Sequence, residues 1–245
     1  MSSGKQFWDK EYSNAKHFAL SGRPAEDLLK FTRWIERDSG RQFLNPITNV
    51  LDLGCGNGRN LVYLAKTYGC RGTGYDISDV AIKQARQAGE GLRGLPLGSK
   101  KGESSKILLN FVARSIDGVF DLEENSFDIV LDMMTSHYLR EAERLALIAE
   151  ISRVLKPGGW LLHKTFLLNE DQNAERLLRK YPAGETNSYI HPTIGTLEHV
   201  STEEEIRELY GPYFEILKVE KTGKHILHGK AGKRRSIIVY LQKRF

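Results

Sequence analysis

The sequence predicts an α/β fold: a doubly wound, mostly parallel sheet with helices on both faces, finished by an antiparallel C-terminal hairpin. Three observations carry this expectation. Short runs of strand-forming residues alternate with helical periodicities from residue 50 onward, the rhythm of βαβ units. A glycine-rich turn follows the first strand directly, in NVLDLGCGNGRN from Asn49 to Asn60. Near the C-terminus, residues 214–221 and 235–241 are alternating and β-branched, and a Gly- and Lys-rich connection joins them as in a hairpin.

The chain has 245 residues, 40% of them hydrophobic, which suits one domain, 1–245, with an ordinary buried core. No run approaches the roughly 18 apolar residues of a membrane span, and the opening MSSGKQFWDKEY is too charged for the apolar core of a signal peptide. The expectation is a soluble, cytoplasmic protein with no membrane partner. Cys55 and Cys70 are the only cysteines, too few for a disulfide framework or a structural zinc site, so no metal is expected. Lysine plus arginine exceeds aspartate plus glutamate by 36 to 31, giving +5, a mild bias that permits anionic partners without demanding them.

The first forty residues read as helical, with Phe7, Trp8 and Tyr12 followed by Leu28, Leu29, Phe31, Trp34 and Ile35 at spacings of three and four. Val50 to Leu53 reads as a buried strand and Asn60 to Thr67 as a helix with Leu61, Leu64 and Ala65 on one side. Gly72 to Asp76 is a second strand, and Ser78 is a natural N-cap for a helix through Arg86. Residues 89–105, rich in Gly, Ser and Lys, predict a surface loop. Strands follow at 107–113, 127–133 and 160–166, with a helix at 141–155. Residues 167–210 then read as an insertion or cap before the hairpin.

Gly54, Gly56 and Gly58 stand at every second position after the first strand. Such glycines let the chain turn sharply and let a ligand lie against bare backbone at the carboxyl end of the sheet; a tight turn that binds nothing is the plain alternative. The dinucleotide fingerprint G-x-G-x-x-G/A fails here, because its third position falls on Arg59, which counts against a nicotinamide or flavin oxidoreductase. Asp76 closes the next strand, where a carboxylate can accept from both hydroxyls of a ribose or serve to cap the following helix.

Four ordered landmarks, VLDLGCGNG, GYDIS, FDIVLDMM and LKPGGWLL, resemble those of class I, Rossmann-like S-adenosylmethionine-dependent methyltransferases over roughly residues 50–245. The resemblance implies a seven-stranded sheet and S-adenosylmethionine as cofactor. It places Gly54, Cys55 and Gly56 against the methionine portion, Asp52 at its ammonium, Asp76 at the ribose and Ile77 on the adenine. Where many relatives carry an acidic residue after the third strand, FVARSID offers Arg114, Ser115 and Ile116. Arginine cannot accept from an adenine amine, so Ser115, a backbone carbonyl or Asp117 takes that place. Asp132 would lie beside the methionine portion, and MMTSHY, 133–138, between cofactor and acceptor. His137 is the candidate general base and Tyr138 a positioning hydroxyl, against the alternative of a buried histidine satisfied by backbone. By the same resemblance residues 1–40 form a lid over the cofactor, against simple packing on the sheet.

The acceptor is approached by elimination. The fourth strand ends in DMMT, without the Asn-Pro-Pro-Tyr-like tetrapeptide that relatives use for planar amines, and no cysteine follows a proline as cytosine C5 chemistry requires. A small-molecule acceptor is expected, with protein or RNA as alternatives and a non-catalytic cofactor-binding protein as a third. Tyr189, His191 and His199 offer a substrate wall, or anchors for an ordinary loop. Lys230, Lys233, Arg234 and Arg235 read as a solvated hairpin tip; nucleic acid is not favoured, because no aromatics interleave the charges. Nothing in the sequence states the oligomeric state.

Overall fold

The computed structural model describes residues 3–18, 20–38, 43–92, 108–222, 226–227, 230–231 and 234–245. The elements run α1 (Ser3–Ser13), α2 (Glu26–Asp38), β1 (Asn49–Leu53), α3 (Arg59–Tyr68), β2 (Arg71–Asp76), α4 (Asp79–Glu90), β3 (Leu109–Ala113) and β4 (Phe127–Met133). A 3-10 turn (Ser136–Tyr138) leads to α5 (Glu141–Val154), β5 (Leu155–Phe166), α6 (Gln172–Lys180), β6 (Ser188–Ile190), β7 (Leu197–His199) and α7 (Glu203–Tyr210). The chain closes with β8 (Phe214–Lys221), β9 (Ile226–Leu227), β10 (Lys230–Ala231) and β11 (Ser236–Lys243). The main sheet has seven strands in the order β3-β2-β1-β4-β5-β11-β8. β2 pairs parallel with β1 and β3, and β11 pairs antiparallel with β5 and β8. This is the expected mostly parallel sheet with its antiparallel C-terminal strand pair. No helix among the described residues is long and apolar enough to cross a membrane.

Contacts group the chain into two compact units. The first comprises residues 1–116 and 126–131. Val50, Leu51 and Leu53 of β1 are fully buried, the near-continuous apolar run of a strand covered on both faces. Leu28, Phe31 and Ile35 form the buried stripe of α2, and Leu61, Leu64 and Ala65 that of α3. α3 ends at Gly69, left-handed at φ 78°, whose N–H returns to the Ala65 carbonyl. The Ser78 hydroxyl accepts from Ala81 N and starts α4. That helix continues beyond Arg86 through Gly89 and Glu90, which the sequence assigned to a loop. A Cβ at Gly89 would lie 3.3 Å from the Phe111 ring, so this glycine permits close helix–strand packing. The remainder of the expected loop, 93–105, lies outside the described residues.

The second unit comprises residues 117–125 and 132–245. β5 begins at Leu155, five residues before the expected Trp160. α6 starts where Asp171 accepts from Asn173 N and Ala174 N, and α7 opens with a Thr202–Glu205 capping box. Residues 167–210 form α6, the β6–β7 ribbon and α7, with a small core of Ala174, Tyr189 and Val200 against Phe166, Leu168, Leu177, Leu178 and Tyr181.

One expectation is overturned here. Arg234 and Arg235 are not solvated. Arg234 Nη1 donates to Glu198 at 2.8 Å and to the Tyr189 hydroxyl at 2.5 Å, Nε reaches Asp171 at 3.3 Å, and the guanidinium lies 4.1 Å over the Phe166 ring. Arg235 donates to the Asn169 carbonyl at 2.7 Å and to Glu170 at 3.0 Å. Arg234 is drawn inward because an unpaired buried Glu198 would be costly, and Arg235 is held by the Asn169 and Thr222 carbonyls together with Glu170. Lys233, and the side chain of Lys230, fall outside the described residues.

Candidate functional site

In the first unit the turn after β1 is set by three left-handed glycines, Gly54 (φ 70°), Gly56 (φ 56°) and Gly58 (φ 76°), a backbone region that side chains disfavour. They serve different ends. A Cβ on Gly58 would come within 2.9 Å of Ala85 and Phe111, so its bareness lets α3 pack against its neighbours. A Cβ on Gly56 would instead collide with the Tyr12 hydroxyl, so Tyr12 of α1 lies directly over the turn. Their spacing alone does not tell these two glycines apart.

Asp76 ends β2 at the mouth of this turn. Its Oδ2 accepts from Gly56 N and its Oδ1 from Ser78 N, both at 2.9 Å. Burial raises its pKa, partly countered by those two amides. A carboxylate offers about four lone-pair sites, so two remain for a ribose diol after the amides are served. Asp52 is buried in β1, opposite Gly74 in register. Cys55 is buried too, and burial, then Asp52 and Asp76, push its thiol well above the ordinary range; it is an inert lining group rather than a nucleophile. Ile77 is partly exposed, with its carbonyl held by Lys5 Nζ at 3.2 Å.

Ser115 and Ile116 follow β3, beside the end of β2, and Arg114 N donates to the Asp76 carbonyl at 2.8 Å. The Arg114 side chain folds back, Nε to the Ser115 carbonyl at 3.1 Å and the guanidinium 4.9 Å over Tyr75. Asp117 is exposed. The first unit thus assembles Asp52, Gly54, Cys55, Gly56, Asp76 and Ile77 around one turn, and its bare backbone, buried acceptors and apolar Ile77 fit a nucleoside joined to an amino acid.

α1 adds what the sequence did not assign. Lys5 bridges Asp79 at 2.6 Å and Asp9 at 3.3 Å. Asp9 accepts from the Ser78 hydroxyl at 2.7 Å, and Gln84 donates to the Tyr12 carbonyl at 2.9 Å. These bonds dock α1 on the start of α4 and hold Tyr12 in place. Burial, then Asp76 and Cys55, raise the Tyr12 phenol, so it stays protonated and able to donate.

The second unit holds the remaining candidates. Asp132 is fully buried; its Oδ1 accepts from Ser136 N at 3.1 Å and its Oδ2 meets His163 Nδ1 at 2.9 Å. Burial alone would raise this carboxyl, but His163 and Ser136 outweigh it and hold it below the usual range. Just beyond β4, Met134 is left-handed at φ 65°, a costly conformation for a side-chain-bearing residue that clusters at functional sites. It bends the chain into the 3-10 turn carrying His137 and Tyr138.

His137 is 2% exposed, and neither ring nitrogen has a hydrogen-bond partner among the described residues. The backbone-satisfied alternative does not hold. Burial lowers its pKa to about 4, so the ring is neutral at pH 7. It packs 4.1 Å from the partly exposed Tyr138 ring and edge-on to Phe166 at 5.2 Å.

Of the expected substrate wall, Tyr189 is buried and donates to Glu198, and His199 is buried between the Ser188 hydroxyl at 3.0 Å and Glu205 at 2.8 Å. Both are anchors; His191 is partly exposed and accepts from Thr193 N and Ile194 N at 3.2 Å. His163, Glu205 and Arg234 were missed in the sequence. A histidine inside the apolar strand WLLHKTF is the one signal that pointed toward them.

Known proteins agree with this geometry. The "methyltransferase domain" family matches residues 51–163. A glycine/sarcosine/dimethylglycine N-methyltransferase of Actinopolyspora halophila is 32% identical over 153 residues, 61% of this chain and 24% of that protein. A 2-methyl-6-phytyl-1,4-hydroquinone methyltransferase of Synechocystis is 26% identical over 190 residues, 74% of this chain and 54% of that one. The chain spans about a quarter to a half of the length of these curated relatives. The crystal structure of a SAM-dependent methyltransferase of Methanosarcina mazei superposes with a TM-score of 0.65 at 26% identity, covering 84% of this chain and 96% of that one. Sheet order, glycine turn and the sequence match over residues 51–163 together support a class I, Rossmann-like S-adenosylmethionine-dependent methyltransferase.

Proposed function

We propose that the chain transfers a methyl group from S-adenosylmethionine to a small-molecule acceptor in the cytoplasm. The observation that carries this reading is the turn at Gly54–Gly56, with Asp76 at its mouth and Tyr12 over it. In this assignment Gly54, Cys55 and Gly56 line the methionine portion, Asp52 holds the ammonium, Asp76 takes the ribose diol, and Ile77, Ser115 and Ile116 flank the adenine. Residues 1–40 act as a lid. The cofactor supplies a methyl group already activated by sulfonium charge, so the protein's tasks are positioning and removal of the acceptor's proton. His137 takes the role of base, with Tyr138 beside it. Asp132, with both oxygens engaged, orients His163 and the 3-10 turn.

The names of the relatives, which act on glycine derivatives and a hydroquinone, support a small acceptor, as does the elaborated segment 167–210. The pinning of Arg234 and Arg235 removes two of the charges that a nucleic-acid surface would use.

Calorimetry with S-adenosylmethionine, and separately with NAD, tests the reading. We expect binding of the first alone, weakened roughly 100-fold in Asp76→Ala by loss of two charge-assisted hydrogen bonds. Tight NAD binding, or wild-type affinity in the variant, would overturn it. Methyl-labelled cofactor incubated with fractionated extract then identifies the acceptor.

A further inference from the structure

Beside His137 the second unit holds a partly open cavity of about 20 Å³, room for roughly one water molecule. Its wall includes His137, Arg144, Thr165, His199, Ser201 and Glu205. Dry cavities in proteins are apolar throughout; this one sets imidazoles, hydroxyls, a guanidinium and a carboxylate among the aliphatic Leu147, Ile148, Ile206 and Leu209. His137 gives the independent sign that something belongs there, since both of its buried ring nitrogens lack a partner among the described residues. Such orphan groups carry a cost that a bridging water removes.

Elsewhere on the wall, His199 Nε2 meets Glu205 Oε1 at 2.8 Å. The two differ in access: the His199 side chain is 3% exposed and that of Glu205 23%. The cavity therefore has a buried, uncommitted imidazole and a carboxylate in touch with solvent.

We propose that this cavity holds one water linking His137 to Glu205, and that the three form an exit path for the proton released in methyl transfer. The inference rests on the methyltransferase reading above. An amine or hydroxyl acceptor attacks the methyl carbon, the C–S bond breaks with its electron pair going to sulfur, and the new bond to carbon leaves one proton on the acceptor heteroatom. Neutral His137 takes that proton on its bare nitrogen and passes the proton of its other nitrogen to the water. The water hands one of its own protons to Glu205, which returns it to solvent. The starting tautomer returns by proton exchange with water, one proton leaving the newly protonated nitrogen as another reaches the bare one.

Glu205 acts through the water and His137, so it is a positioning and relay residue. The groups that set the field at these sites come from several elements: Asp132 of β4, Arg144 of α5, His163 of β5, Glu198 of β7, Tyr210 of α7, and Arg234 before β11. Burial alone would raise the Glu205 carboxyl, but the hydrogen bond and charge of His199 bring it below the ordinary range. It is therefore ionised and open to a proton at neutral pH.

The test needs no acceptor. In uniformly ¹⁵N-labelled full-length protein, exchange of the His137 ring proton with bulk water is followed by long-range proton–nitrogen correlation, with signals assigned from His137→Gln. At pH 7 we expect exchange to slow roughly tenfold or more in Glu205→Gln and to recover in part in Glu205→Asp. Ser201→Val, which fills the cavity and leaves Glu205 intact, should slow it comparably. Calorimetric affinity for S-adenosylmethionine should stay at the wild-type value in each variant, so loss of cofactor binding by the wild type condemns the methyltransferase reading and not the relay. Unchanged exchange in Glu205→Gln and Ser201→Val, or a high-resolution crystal structure with the cavity dry, would overturn the relay.

Discussion

The turn between β1 and α3 and the cluster around His137 build their chemistry from different materials. The turn uses backbone: left-handed glycines 54, 56 and 58 and the amides of Gly56 and Ser78, with one carboxylate, Asp76, collecting them. The cluster uses side chains from positions 132, 137, 163, 199, 205 and 234. The first tolerates little change in shape, because bare backbone has no rotamers with which to adapt. The second tolerates little change in charge, because its groups are desolvated and depend on one another.

The largest effect is expected from breaking the second region's charge balance. Arg234→Met keeps the volume but leaves Glu198, 3% exposed in its side chain, without its cation, and we expect a loss of roughly 3–5 kcal/mol in unfolding free energy. Chemical denaturation measures it; a loss below about 1 kcal/mol, the surface-pair level, would show that the cluster is held by packing alone.

The next effect sharpens the contrast by pH. His137 is neutral when folded, with a pKa lowered by burial to about 4 from the ordinary 6.5. The unfolded chain therefore binds the proton first as pH falls. Stability is full above pH 6.5, declines between 6.5 and 4, and levels off below, by roughly 3 kcal/mol for this group. His137→Gln should remove that part of the acid slope, and an identical slope in the variant would contradict the buried neutral ring.

The smallest effect belongs to the first region. Gly58→Ala puts a Cβ within 2.9 Å of Ala85 and Phe111 at a φ of 76°, and should cost roughly 1–3 kcal/mol with S-adenosylmethionine affinity close to wild type. A selective loss of affinity without loss of stability would show that the third glycine serves the ligand and not the packing.

The two regions were unequally legible for the same reason that they respond differently. Val50 to Leu53, Gly54, Gly56 and Asp76 sit within one βαβ stretch, where local periodicity and glycine spacing report the backbone directly. Even there the sequence could not separate Gly56 from Gly58, since the distinction lies in what faces each Cα: Tyr12 in one case, Ala85 and Phe111 in the other. Gly89 misled because a glycine in a helix that packs closely on Phe111 looks like a glycine in a loop. Arg234 and Arg235 misled because a basic run carries no mark of the distant acidic partners that bury it.

By itself, then, the sequence determined the alternation of strands and helices, the antiparallel finish and the glycine turn with its acidic neighbour, because these depend on propensity, periodicity and backbone freedom over a few residues. Only the tertiary structure decided that Tyr12 covers that turn, that Asp132 is engaged by His163, and that His137 faces a cavity it shares with Glu205. Those are contacts between side chains far apart in the chain, and burial fixes their energies only after the chain has folded.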